Sequence, residues 1–179
     1  EELQANGVHY RLHLAEDVRL DRARLLAAMA RAHGVLTDHF GSDRFSTVTL
    51  FVDRALARAF NDGSGVLGAS PRYFRQGDYG FNLIAHELAH NWWGATVTEK
   101  WLTPASGGQW IVEGFATFAS WLATEAEFGR GGAARAVARE RFDPQRQGVI
   151  QVMSSLDNAL AESRNRDTIY RKGGAVAAM

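Results

Sequence analysis

The sequence predicts an α+β domain with a small mixed sheet followed by a mostly helical half. Two observations lead there: segments with strand periodicity occupy the first part of the chain, and long apolar segments with helical spacing occupy the rest. A chain of 179 residues is one domain's worth of sequence, with enough length for a sizeable core. The expected division is a sheet-rich part over 1–80 and a helical part over 81–179.

Val8 to Leu14 alternates apolar and polar residues and reads as a strand with His9, Arg11 and His13 on its solvated face. From Asp21 to Phe40, Leu25, Leu26, Met29, Ala32, Leu36 and Phe40 keep helical spacing, with Asp21 as N-cap and Gly41 just past the end. His33 and His39 ride on that helix as surface or structural residues. Phe45 to Val52, rich in β-branched and aromatic residues, reads as a second strand. Asn61 to Gly65 is a turn, and Val66 to Ser70 is a short strand before Pro71. The segment Gly65, Val66, Leu67, Gly68 and Ala69 has two readings, a plain hairpin arm or a sheet edge that binds a substrate backbone by strand addition.

An apolar helix then begins at Phe81 and is expected to end at Gly94; Ile111 to Phe128 is another, stopped by Gly129. The remainder reads as further helix with a boundary near Pro144.

Twenty basic and 20 acidic residues cancel, and no Lys/Arg cluster marks a phosphate-tracking surface, so nucleic acid is not an expected partner. The absence of cysteine excludes thiolate metal sites, disulfides and cysteine nucleophiles. No apolar run reaches the length of a membrane span. The chain lacks an initiating Met and stops within the apolar run Ala175 to Met179, so the expectation is a catalytic domain excised from a longer protein with flanking domains.

The chemistry is concentrated in His86-Glu87-Leu88-Ala89-His90. Residues four apart stack on one helix face, so His86 and His90 can converge on a single metal ion. Glu87 sits about 100° round from His86, which keeps its carboxylate out of the ligand set and near the water to be activated. Two imidazoles and a carboxylate in an apolar helix need compensation, and one zinc ion supplies it. A catalytic zinc takes three protein ligands. No histidine follows His90, and Trp93 and Thr96 stand where the extended Gly-x-x-His motif would place its glycine and third histidine, so a carboxylate must complete the set. The candidates are Glu99, Glu113, Glu125 and Glu127. Glu113 is favoured, because it opens an apolar helix and is followed by Gly114, which permits close approach of another backbone.

The run His86 to Gly94 followed by Trp110-Ile111-Val112-Glu113-Gly114-Phe115-Ala116 resembles the gluzincin zinc aminopeptidases, the aminopeptidase N and leukotriene hydrolase kind. His39-Phe40-Gly41 is similar to that family's Phe-Gly, so the likeness spans most of the chain. The resemblance implies a thermolysin-like metallopeptidase fold, zinc held by His86, His90 and Glu113, and Glu87 as general base. It also implies that Tyr170, in Tyr170-Arg171-Lys172-Gly173, supports the transition state; without the resemblance Tyr170 reads as a tyrosine packed on the core. Between His90 and Glu113 lie 22 residues, Asn91 to Val112, more than is usual in the family, with the excess in the loop Thr103 to Gln109. The family's Gly-Ala-Met-Glu-Asn signature is absent, and Gly65 to Ser70 in its place has no carboxylate.

The expected activity is therefore zinc-dependent hydrolysis of peptide bonds in a peptide or protein, aminopeptidase-like. The alternatives are an endopeptidase or another zinc hydrolase on the same site, or a non-catalytic zinc-binding relic.

Overall fold

The structure, a computed structural model, describes residues 1–75, 78–97, 109–139, 170–171 and 173–179. Five strands, β1 (Glu2–Ala5), β2 (Val8–Leu14), β3 (Thr47–Val52), β4 (Phe60–Asn61) and β5 (Val66–Ala69), form one mixed sheet in the order β1-β2-β3-β5-β4. The central pairs β2/β3 and β3/β5 are parallel, and the outer pairs β1/β2 and β4/β5 are antiparallel. Helix α1 (Arg22–Phe40) joins β2 to β3, as a parallel pair requires a crossover. Its ends are those read from sequence: the Asp21 carboxylate accepts from the Arg24 amide, and Gly41 at φ 80° closes it.

β1 was not anticipated, although its signal is present. Asn6 and Gly7 both have positive φ (53° and 75°), the turn that an Asn-Gly pair makes between antiparallel strands. β4 was also missed, because two residues carry no periodicity.

One sheet face is buried. Tyr10, Leu12, Val48, Leu50, Val52, Leu67 and Ala69 pack in one core with Met29, Ala32 and Leu36 of α1 and with Phe81, Ile84, Ala85 and Leu88 of α2 (Asp78–Ala89). On the opposite face Arg11 and His13 are exposed, and His13 stacks on the exposed Phe51 at 4.8 Å. α2 packs between α1 and α3 (Gln109–Arg139), the latter broken at Gly129, where φ is 70° and ψ 179°. The expected stop at Gly129 is thus a break with helix resuming beyond it. α2 ends earlier than expected: its last helical residue is Ala89, and tighter turns run from His90 to Gly94, which has φ 117°. The reading around Pro144 lies outside the described residues.

A short helix α4 (Gly173–Ala177) crosses the start of α3 at glycine. A Cβ added to Gly114 would lie 2.6 Å from the Gly173 carbonyl carbon, and one on Gly174 would lie 2.9 Å from Thr117. Backbone cannot give way as a side-chain end can. Gly114→Ala is therefore expected to destabilise the fold by about 1–3 kcal/mol through overpacking. Gly131→Ala, whose Cβ would meet only the end of Arg135 at 3.6 Å, should leave stability unchanged or slightly raised. Denaturation midpoints of the two variants check this, and equal midpoints would contradict the close crossing.

Candidate active site

His86 lies in the last turn of α2 and His90 just beyond it, while Glu113 lies in the first turn and a half of α3. The packing of α2 on α3 brings them together: Oε2 of Glu113 is 3.2 Å from Nε2 of His86 and 3.4 Å from Nε2 of His90. All three side chains are nearly buried, and their ligand atoms lie within 4.8 Å of one another. The Trp93 carbonyl accepts a hydrogen bond from Nδ1 of His90 at 3.1 Å. A carbonyl only accepts, so the Nδ1 proton is committed outward and Nε2 is the nitrogen that faces Glu113. The Thr117 hydroxyl stands 3.5 Å from Nδ1 of His86. Two imidazole nitrogens and one carboxylate oxygen, converging with their outer nitrogens occupied, are a donor set that fits zinc.

The rejected carboxylates have other uses. Both oxygens of Glu127 accept from Arg31 Nε at 2.9 Å, and Glu125 is 3.7 Å from Arg130. Glu99 lies outside the described residues.

Two ring contacts and one hydrogen bond hold the pieces in place. Phe40 at the end of α1 meets Trp93 edge-on at 4.6 Å, and Trp93 stacks on Phe115 at 5.6 Å. Trp92 Nε1 donates to the Gly41 carbonyl at 3.0 Å. The Phe40-Gly41 pair noted in the sequence thus anchors the turn that carries His90. Between the helices Asn82 donates to Ser120 and Thr124, a polar seam that fixes their rotation.

These donors open onto a cleft of about 580 Å³ lined by Arg58 to Gly63, Tyr73, Asn82, Leu83, His86, Glu87, His90, Gly94, Val112, Glu113, Thr117 and Tyr170. Glu87 is buried at its wall. The Tyr170 ring lies 5.7 Å from that of His86, nearly parallel to it. The Gly114/Gly173 crossing explains why Tyr170, three residues before Gly173, arrives beside His86. Lys172 lies outside the described residues.

The edge reading of Gly65, Val66, Leu67, Gly68 and Ala69 requires correction. β5 is interior, paired with β3 on one side and with β4 on the other through Phe60↔Gly68 and Asn61↔Leu67. The Phe60 ring lies directly over Gly68, and a Cβ there would require the ring to shift. β4 is the edge, and the segment Arg58 to Gly63 lines the cleft. The other reading, a plain hairpin arm, agrees with the antiparallel pairing of β4 and β5 across the turn at Asn61 to Gly65. Asp62, in that turn, is held by the Ser64 amide and hydroxyl and the Val66 amide. Those bonds outweigh its burial and keep its carboxyl below the ordinary range.

Electrostatics at the donor set follow from geometry. Burial opposes a charge on His90. The Glu113 charge and hydrogen bond, the Glu87 charge and the Trp93 carbonyl reverse that and raise its pKa to about 9. Burial likewise opposes ionisation of Glu113, yet His90 and His86 hold it far below the usual carboxylate range.

The sign for the metal-free protein is set by these directions. A raised His90 stabilises the fold fully below its unfolded value of about 6.5, and that contribution is lost as pH rises through about 9. A depressed Glu113 stabilises above about pH 4.3 and loses that contribution in acid. A zinc ion held by His90 would compete with its proton. Between pH 6.5 and 9 the Tm of chelator-treated protein should therefore fall while the zinc-induced rise in Tm grows. A zinc increment that is flat or declining over that window would show that His90 does not bind the ion.

Residues 72–179 match the profile of the family described as Peptidase family M1 domain. The chain is 50% identical over 46 residues to Aminopeptidase M1 of Arabidopsis thaliana, a stretch covering 26% of this chain and 5% of the relative. It is 51% identical over 39 residues to the alanine/arginine aminopeptidase of Saccharomyces cerevisiae, 22% of this chain and 4% of that one. Among solved structures, an aminopeptidase N family protein from Idiomarina loihiensis superposes with a TM-score of 0.77 at 18% identity, over 99% of this chain and 36% of that one. Yeast LTA4 hydrolase in complex with bestatin gives 0.73 at 17%, over 99% and 29%. An M1 zinc metallopeptidase from Deinococcus radiodurans gives 0.65 at 20%, over 97% and 37%. The α+β fold is therefore that of the catalytic domains of these proteins, and this chain covers between 29% and 37% of the solved chains it resembles.

Proposed function

The chain belongs to peptidase family M1, and from that premise we propose that it is a zinc-dependent, aminopeptidase-like hydrolase of peptide bonds. The observation that supports this most is the convergence of His86, His90 and Glu113 on one point of a cleft that Glu87 and Tyr170 also line. His86, His90 and Glu113 would hold the ion. When bound, it polarises the scissile carbonyl and makes a water acidic enough to attack near neutral pH.

Glu87, beside the donors but not among them, takes the attacking water's proton and returns it to the leaving amine. Its burial fixes the carboxylate at the cleft wall. Tyr170, against His86, donates its phenol proton to the oxygen that becomes negative in the tetrahedral state. The open side of β4 receives the substrate's backbone, and the helices beneath exclude bulk water. No helix among the described residues is long and apolar enough to cross a membrane.

The test is a panel of fluorogenic amino-acid amides beside internally quenched peptides, with and without amino-terminal acetylation, assayed at one zinc per chain. Zinc-dependent cleavage of the amides supports the proposal. Cleavage of acetylated peptides alone would move the protein to the endopeptidases, and no cleavage at full zinc occupancy would leave a binding relic. Within the panel, Tyr170→Phe should lower kcat by about 10²–10³-fold at unchanged zinc content. Unchanged turnover would return Tyr170 to a packing role.

A further inference from the structure

A line of hydrogen-bonded side chains outside the metal ligands runs from the buried sheet to the cleft. Asp43, in the loop after α1, is 3% exposed, and its Oδ2 accepts from Nε2 of His33 at 3.0 Å and from Nδ2 of Asn91 at 2.7 Å. Its Oδ1 accepts from the Phe45 amide at 3.1 Å. The other His33 nitrogen, Nδ1, shares a hydrogen bond with the Tyr10 hydroxyl at 2.8 Å. Asn91 Oδ1 accepts from Nδ2 of Asn61 at 2.9 Å, and the same Asn61 amide donates to the Glu87 carbonyl at 2.6 Å.

The charge on Asp43 sets the direction of the whole line. A carboxylate only accepts, so Asn91 must turn its NH₂ toward Asp43 and its oxygen toward Asn61. Asn61 must then turn its NH₂ toward Asn91 and Glu87, which leaves its oxygen for the Gly63 amide at 2.8 Å. Neither asparagine has a free choice of flip. Burial alone would neutralise Asp43, but the bonds from His33, Asn91 and Phe45 and the charge of His33 keep it ionised, below the usual carboxylate range. Burial, then the charge of Asp43, pushes the Tyr10 phenol up to about 12, so the far end of the line stays neutral.

The two ends of this clamp are parts of the cleft. β4 has only two residues and pairs with β5 on one side, too little to fix its own position. The Glu87 carbonyl belongs to the last turn of α2, and the Asn91 amide that would bond it in a continued helix turns to Leu88 instead. Asn61 caps that carbonyl from the edge strand.

The structure assigns Asn61, Asn91 and Asp43 a positioning role: together they hold the edge strand at a set separation from the turn that bears Glu87 and His90, ready for an extended peptide. This rests on the peptidase reading above. The clamp itself does not.

Two measurements test it in the full-length, zinc-loaded protein. The first is a double-mutant cycle of Asn61→Ala and Asn91→Ala on kcat/KM, for an amino-acid amide and for a peptide long enough to lie along β4. The peptide's loss should exceed the amide's by about tenfold, mostly through KM, as expected for one lost hydrogen bond's worth of preorganisation. The double variant should be little worse than the poorer single one. Equal losses on both substrates, or additive losses in the double variant, would overturn the role. The second is hydrogen exchange across residues 60–66, which should accelerate in Asn61→Ala without loss of zinc. If the wild type binds zinc but cleaves neither substrate, the peptidase reading fails, and unchanged exchange in Asn61→Ala overturns the clamp independently of it.

Discussion

Glu87→Gln should retain one zinc ion per chain while kcat falls by roughly 10²–10⁴-fold, the usual contribution of a positioned base. The amide has the shape of the carboxylate and can occupy the same buried wall, so the helix and its two histidines have no reason to move. What the variant lacks is a proton acceptor. Because proton removal is needed only on the way to the transition state, the loss should fall on kcat and on kcat/KM alike, with KM little altered. Loss of zinc from this variant would mean that base and ligand have been exchanged, with Glu87 holding the ion.

Glu113→Ala should show the opposite pattern, with loss of metal and, through it, of activity. The carboxylate is the donor set's anion and stands 3.2 and 3.4 Å from the two imidazole nitrogens. Removing it leaves two neutral donors, and the affinity should fall by more than the roughly 10–100-fold that outer-shell changes cost. The proton on His90 would also lose its main electrostatic support. Zinc titrations followed by Tm should then show little stabilisation at concentrations that saturate the wild type, where occupancy a hundredfold above Kd is worth about 2.7 kcal/mol. Full zinc retention in Glu113→Ala would require another carboxylate, and Glu125 and Glu127, on the far part of α3, are already paired with Arg130 and with Arg31 of α1.

Particular residues show which parts of this were legible in the sequence. α1 could be bounded to the residue because its stop signals are local: the Asp21 cap and the Gly41 turn act within one helical turn. His86, Glu87 and His90 were legible for the same reason, since their spacing alone puts them on neighbouring faces. Glu113 could be favoured partly because a lone carboxylate in an apolar helix needs a partner, and largely through the resemblance. Tyr170 rested on resemblance, and its place beside His86 depends on a glycine crossing between segments far apart in the chain.

The cleft's edge was misassigned for an equally physical reason. A strand's position in a sheet depends on its partners, and the two residues of β4 have no pattern by which to announce that they cover β5. The amide clamp was invisible too. Asn61, Asn91 and Asp43 are separated by 30 and 48 residues, and no periodicity connects them. His33 was read as surface or structural, and its bonds to Tyr10 and Asp43 make it structural.

Anomalous diffraction at the zinc absorption edge, on crystals of the zinc-loaded protein, tests the account most directly. It predicts a single peak about 2.0–2.2 Å from Nε2 of His86, Nε2 of His90 and a carboxylate oxygen of Glu113, with one position left to a non-protein ligand on the cleft side. A peak enclosed by four protein ligands, or one that Glu113 does not reach, would contradict it.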